Sequence, residues 1–400
     1  MRFLFTFAGG TGHFRPTLPF ARRLVGRGHQ VAYACQEAMV PEVAAEVVPD
    51  GMAVLASGGP TLLAADERRP LVTIDRAAQR QSFHYGFAGR TARRRAARLV
   101  EVIRDWQPDL VVRDEGDFGA AVAAEASGLP HAAVIVLAAG MMTDTHLLGP
   151  PLDALRVEHG LTADPDGLMS HRYLTLVPAP PSFRHPADPL PATAHHVRPA
   201  AVDGRGAATS ETLTGSRSDG RTVRPTVYVT LGTIFNQESG DLFTRILAGL
   251  SALPVDVIVT VGPALDPSEL GRQPPHIRVE RFLPLGQVLA SCAAVVSHAG
   301  SGTLLGALAF GLPSVLFPLG ADQPYNADRA VDIGVARALD ALTAHPGDVA
   351  AAVGEILDDP GYREAAEQVR NEILSLPGAD HAADLLEQLA EERQPIRCPG

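Results

Sequence analysis

The chain has 400 residues, enough for two ordinary domains and a large core. Hydrophobic residues make up 46% and charged ones 20%, a globular balance, and acidic residues outnumber basic ones 45 to 34 for a net charge of −11. That charge argues against nucleic acid as a main partner, because neutralising phosphates takes a basic face.

In chain order, RFLFTF (residues 2–7) reads as a strand and is followed by the glycine turn of FAGGTGHFRP. Strand, glycine turn and helix open many nucleotide-binding domains. A dinucleotide fingerprint would need a small residue at Arg15 and an acidic residue after the next strand, QVAYA. The chain has Gln36 beyond that strand, so the dinucleotide reading fails. Pro16 suits a helix start, and Leu18, Ala21 and Leu24 fall near one helical face. His13 is then expected just before a helix N-terminus, where the helix dipole keeps its ring neutral and usable as a base. From this loop alone, a catalytic base and a plain loop cap are equally good readings.

Residues 55–95 break the strand–helix rhythm with GGP, a charged DERR and an arginine-rich run that ends near Trp106. LVV (110–112) and AAVIVL (132–137) resume it, separated by the alanine-rich helix AAVAAEAS. Asp114 ends the first of these strands on the side of the sheet where His13 falls, so it is the candidate orienting carboxylate. Asp117 could substitute, but an N-cap for the following helix suits it better. Residues 141–172 are again irregular, and insertions above a parallel sheet often shape a substrate cleft.

Residues 203–224 are polar and rich in glycine, serine and threonine, the composition of a flexible linker. The rhythm restarts with TVYVTL, VDVIVTV, AAVVS and PSVLFP. The expected fold class is therefore α/β, with two doubly wound Rossmann-like domains facing across a cleft. The expected domains are 1–202 (N-terminal), 203–224 (linker) and 225–379 (C-terminal). Residues 380–400 complete the division as a helix and tail. Leu385, Leu386 and Leu389 share one face of that helix, as docking requires.

The richest stretch is SHAGSGTLLGALAFGLPSVLFPLGADQPYNADRA, residues 297–330. A strand ends at His298, and Ala299-Gly300-Ser301-Gly302-Thr303 opens a helix. Small residues there expose backbone N–H groups and two hydroxyls at a positive helix end, which suits an anion such as a diphosphate. Asp322-Gln323 at the next strand end offers acceptors and an amide donor, which suits sugar hydroxyls.

These residues resemble the donor signature of the family 1 glycosyltransferases of GT-B fold: H-[GA]-G-x-G-T, A-L-x-x-G-x-P and D-Q-x-x-N-A, in that order and ending at Asn326-Ala327. GHFRP (12–16), VTLGT (229–233) and RFLPLGQVL (281–289) are similar to further parts of that family. Ala299 stands where glycine is commoner, and Leu285 where glutamine usually follows Pro284. The resemblance implies that 1–202 binds the acceptor, that 225–379 binds the nucleotide sugar and that the helix of 380–400 packs back on the N-terminal domain, with His13 as base and Asp114 as its partner. It implies donor contacts from Thr233, Leu283, His298, Gly300, Ser301, Gly302, Thr303, Asp322 and Gln323; acceptor-binding residues stay unassigned.

The activity implied is inverting transfer of a sugar, expected to be a deoxysugar. The donor is a nucleoside diphosphate, dTDP or UDP. The acceptor is an aromatic or polyketide-type natural product, as in actinomycete relatives. The rivals are a nucleotide-sugar epimerase on the same fold and a non-catalytic helper. The nucleotide sugar is a co-substrate, and no cofactor or metal is expected. Asp164-Pro165-Asp166 matches a metal-binding DxD pattern but lies in a polar stretch, and a turn is the better reading. Cys35, Cys292 and Cys398 form no CxxC pair, which fits a reducing cytosol without a disulfide framework or zinc site. No apolar run approaches the ~20 residues of a membrane span. A cytoplasmic protein with no membrane partner is expected, and a homodimer is left open.

Overall fold

The computed structural model describes residues 1–58, 70–141, 145–200, 224–233 and 235–398. Almost all of the expected linker, 203–224, lies outside the described residues.

Two runs of short apolar strands each build a separate sheet. The first run is β1 (Arg2–Thr6), β2 (Gln30–Cys35), β3 (Ala53–Ala56), β4 (Leu110–Asp114), β5 (His131–Val134), β6 (Leu174–Val177) and β7 (Ala194–His196), in the order β3-β2-β1-β4-β5-β6-β7. The second is β8 (Thr226–Thr230), β9 (Asp256–Thr260), β10 (Ile277–Glu280), β11 (Ala294–Ser297), β12 (Ser314–Leu316) and β13 (Ala336–Ala338), in the order β10-β9-β8-β11-β12-β13. Every pairing is parallel. Parallel strands need crossovers, and the helices between them cover both faces, so the central strands β1, β4, β8 and β11 are buried along nearly their whole length. In β1, Phe3 and Phe5 enter one core cluster, while Leu4 between them enters the cluster on the opposite face. Chain order reverses between β1 and β4 in one sheet and between β8 and β11 in the other. Each reversal opens a crevice beyond the strands' carboxyl ends, where α/β sheets take ligands.

The last helix, Ala379–Glu392, lies on the first sheet's side of the molecule. Ala382, Ala383, Leu385, Leu386 and Leu389 join the cluster of Phe3, Phe5 and Leu24. Arg27 binds Asp384 at 2.7 Å and Glu387 at 2.8 Å along its edge, and His29 binds Glu387 at 2.7 Å.

Several elements differ from the sequence reading. Residues 141–172 contain a regular helix, Thr145–Glu158, despite Pro150 and Pro151 inside it. Leu148, Leu152 and Leu155, at helical spacing, are buried, and this packing outweighs the lost backbone bonds. β3, β6, β7, β10 and β13 are three or four residues long, too short for a pattern to stand out. The segment 84–91 is a π-helical stretch before the Ala92–Trp106 helix.

Candidate functional site

The loop after β1 and the end of β4 meet at the first crevice. His13 Nδ1 lies 2.7 Å from Asp114 Oδ2. Asp114 is fully buried and also accepts from Ala8 N at 2.9 Å and Gly116 N at 3.0 Å. A carboxylate fixed by two backbone donors holds the imidazole with its proton on Nδ1, leaving Nε2 bare to accept another. Gly9 permits the approach. Its φ is +149°, and a Cβ there would fall 2.6 Å from His13 Cδ2. Phe87 lies nearly parallel to the His13 ring, with centroids 6.1 Å apart.

The expected source of the ring's neutrality needs correcting. His13 lies inside a short helix, Thr11–Phe14, that starts at Gly10, rather than just before a helix start, and the ring is not held neutral by its surroundings. Burial pushes its pKa down, but the charge and hydrogen bond of Asp114 more than offset this, and the net shift is upward. Asp117 takes the role preferred for it: its Oδ1 accepts from Ala120 N at the start of the Phe118–Ala126 helix. It also binds the buried Arg95 through both oxygens, at 2.8 and 2.6 Å.

The second crevice lies between β8 and β11. His298 follows β11 and is buried between two glycines. A Cβ on Gly232 would fall 2.6 Å from its Nε2, and one on Gly300 2.5 Å. Burial pushes this imidazole down to about 4. It is neutral at pH 7, so it can donate an N–H to a phosphate but brings no charge. Gly300 caps the Ser301–Ala309 helix with no side-chain hydrogen bond, which leaves the first-turn N–H groups to a ligand. Gly302 is exposed and Thr303 half-buried beside them. Thr233 is exposed, and its Oγ1 lies 3.3 Å from Thr11 Oγ1 of the first domain. Leu283 is half-buried, against the cluster of Val288 and Leu289.

Ser301 differs from the expectation that both hydroxyls of this turn are open to an anion. Its side chain is buried and its Oγ donates to Asp322 Oδ2 at 2.7 Å. Asp322 stands at the start of the Gln323–Asp332 helix but makes no side-chain cap there. Its Oδ2 also accepts from Asn326 Nδ2 at 2.7 Å. Burial raises the Asp322 pKa against these bonds, and the charge of His13 opposes the rise across the cleft. Gln323 Oε1 accepts from Leu319 N at 2.7 Å and Gly320 N at 3.2 Å, which fixes the strand-end loop. Asp164 is a turn residue, accepting from Leu168 N at 3.1 Å and Met169 N at 2.6 Å. Sequence reasoning did not assign roles to Glu115, which is buried beside Asp114, or to Asn326. The D-Q-x-x-N-A spacing is the signal that marked Asn326, since four residues along a helix return to the face of Asp322.

Residues 244–389 match the family described as "Erythromycin biosynthesis protein CIII-like, C-terminal domain". The elloramycin glycosyltransferase ElmGT of Streptomyces olivaceus is 31% identical, over 96% of this chain and 97% of that protein. This chain is a family 1 glycosyltransferase of GT-B fold. The 4'-demethylrebeccamycin synthase of Lentzea aerocolonigenes is 28% identical, over 95% of this glycosyltransferase and 97% of that protein. Among solved structures, the glycosyltransferase VinC in complex with dTDP aligns with a TM-score of 0.75 and 26% identity, over 98% of this chain and all (100%) of that one. SnogD from Streptomyces nogalater aligns at 0.71 and 27%, over 98% and 99%. The glycosyltransferase thus falls among actinomycete enzymes of antibiotic and natural-product biosynthesis. Among the described residues, no helix is long and apolar enough to cross a membrane.

Proposed function

We propose that this glycosyltransferase moves a deoxysugar from a dTDP or UDP donor to a hydroxyl of an aromatic or polyketide-type acceptor, with inversion at the anomeric carbon. The observation that carries the reading is the His13–Asp114 hydrogen bond of 2.7 Å, which leaves one imidazole nitrogen free to take a proton. His13 deprotonates the acceptor hydroxyl as its oxygen attacks the anomeric carbon. The C–O bond to the diphosphate breaks on the opposite face, and the leaving charge settles on the Ser301–Ala309 helix end with Thr303, Thr233 and His298. Asp322 and the amide nitrogen of Gln323 receive the sugar hydroxyls, and the loop at Leu283 receives the nucleobase. The acceptor then lies over His13 and Phe87. The relatives named for antibiotics, and the dTDP in the VinC structure, support the donor and acceptor classes.

Thermal shift with dTDP, UDP and GDP tests the donor site. A nucleotide at a hundred times its Kd adds about 2.7 kcal/mol of stability. A shift for dTDP or UDP that exceeds the shift for GDP is expected, and no shift with any of the three overturns the reading. The anomeric configuration of the product, read by NMR, tests inversion: a product that retains the donor's configuration refutes it.

A further inference from the structure

In the loop after β5, four consecutive backbone N–H groups are each held by a side chain. Val136 and Leu137 both donate to Glu115 Oε1, at 2.7 Å each. Ala138 donates to Ser301 Oγ at 2.9 Å and Ala139 to Asn326 Oδ1 at 3.1 Å. Glu115 belongs to the first domain and directly follows Asp114. Ser301 and Asn326 belong to the second, and all three side chains are buried. The loop therefore spans the cleft floor from the base's partner to the donor motif.

The second domain's end of this bridge runs into Asp322. Ser301 Oγ gives its only proton to Asp322 Oδ2. It accepts from Ala138 N and from Asn326 Nδ2, the latter at 3.0 Å. A hydroxyl has one proton, and Ser301 Oγ gives it to Asp322, so it has none to donate to a phosphate; Asn326 Nδ2 shares its two protons among Asp322 Oδ2, Ser301 Oγ and Ala299 O. Asn326 Nδ2 also reaches Ala299 O at 2.9 Å, which ties the network to the turn beside His298. A fully bonded network of buried groups holds one geometry.

We propose that Ser301 and Asn326 are positioning residues: they set Asp322 toward the sugar only while loop 136–139 is docked, so the first domain completes the donor's sugar site. The proposal rests on the reading of Asp322 as a sugar contact. The diphosphate groups, His298 and Thr303, lie outside the network, so nucleotide affinity and turnover separate. Withdrawal of the loop leaves Asn326 and Ser301 without their N–H partners and frees Asp322 to rotate. Donor cleavage is thereby tied to closure over the acceptor.

The test compares Ser301→Ala, Ser301→Thr, Asn326→Ala and Asp322→Ala in the full chain, with kcat at saturating donor and dTDP affinity by calorimetry. Ser301→Ala is expected to lower kcat roughly ten- to a hundredfold, the scale of a small misplacement, with the dTDP Kd within about twofold. Ser301→Thr keeps the hydroxyl and restores turnover. Asn326→Ala repeats the Ser301→Ala signature, and a melting curve checks that each variant is folded. A dTDP Kd raised about tenfold in Ser301→Ala, with kcat unchanged, makes the hydroxyl a phosphate contact and overturns the proposal. So does normal kcat in both Ser301→Ala and Asn326→Ala when Asp322→Ala is impaired. Normal turnover and donor choice in Asp322→Ala break the sugar-contact reading itself, and the proposal falls with it.

Discussion

Two histidines stand at the two reversal points of the sheets, and their chemistry is opposite. His13 follows the first strand of its sheet and His298 the fourth of its own, so both rings lie at carboxyl ends beside the cleft. Both are pulled down by burial. Asp114 lies against His13 and the net shift is upward, whereas His298 sits between two glycines and falls to about 4. The topology supplies a place for a ring, and the neighbouring side chain decides what the ring does. One can take a proton near neutral pH, and the other can only donate or accept a hydrogen bond.

The largest expected effect separates the two rings by kinetics. His13→Ala is expected to lower kcat roughly 10²–10⁴-fold while dTDP affinity holds, because a base acts only in the chemical step. His298→Ala is expected to act mainly on dTDP affinity, by about 1.5–3 kcal/mol for one hydrogen bond to a charged group. If both variants lose turnover and affinity in the same proportion, the division of labour fails. Steady-state kinetics with calorimetry decides it.

A smaller effect tests the packing of each ring. Gly232→Ala puts a Cβ 2.6 Å from His298 Nε2 at a φ of +80°, so clash and backbone strain coincide. It is expected to cost about 1–3 kcal/mol of stability by urea unfolding and to weaken dTDP. Gly12 has no atom within 4 Å of its would-be Cβ, so Gly12→Ala beside His13 is the matching control. It should stay within about 0.5 kcal/mol of the parent. Equal costs for the two would mean that the glycines around His298 are not the constraint.

The smallest effect is a pH slope. The proposed base, His13, takes a proton only when neutral, so kcat/KM should fall as pH drops through a value above the usual 6.5. His298 works on stability instead. Its folded pKa is depressed, so below 6.5 the unfolded chain binds a proton that the fold refuses until about 4. Stability is therefore full above 6.5 and declines toward 4, by at most about 1.4 kcal/mol per pH unit for each such group. His131, at about 4, and His171, at about 3, act in the same direction. Melting curves and rate profiles in the same buffers should show activity failing at a higher pH than the fold. An acid limb of activity below 6.5 contradicts the upward shift of His13.

The strand end and helix start at 298–303 were legible because they are local, whereas the buried hydroxyl of Ser301 was not. A strand end, small residues and a helix start lie next to each other in sequence, so 298–303 could be read without long-range contacts. The His13–Asp114 pair was legible for a topological reason: parallel strands put their carboxyl ends on one side. The helix Thr145–Glu158 was hidden by Pro150 and Pro151, which local rules read as breakers, while the burial of Leu148 and Leu152 is a tertiary matter. The bonds of Ser301 and Asn326 to Ala138 and Ala139 were illegible for the same reason. Their partners are backbone groups more than 160 residues away, and backbone groups carry no sequence signal.

The docking of the Ala379–Glu392 helix on the first domain matters to anyone who recombines such enzymes. Residues beyond that helix also pair with the first domain: Ile396 N donates to Tyr173 O at 2.8 Å and Cys398 N to Ala192 O at 2.9 Å. A chimera that takes everything after residue 224 from a relative would set a foreign helix on Phe3, Phe5 and Leu24 and strip Arg27 of its acidic partners. Exchange of the second domain therefore calls for two crossovers, the second near Leu376–Gly378, so that the native tail stays with the half it seals.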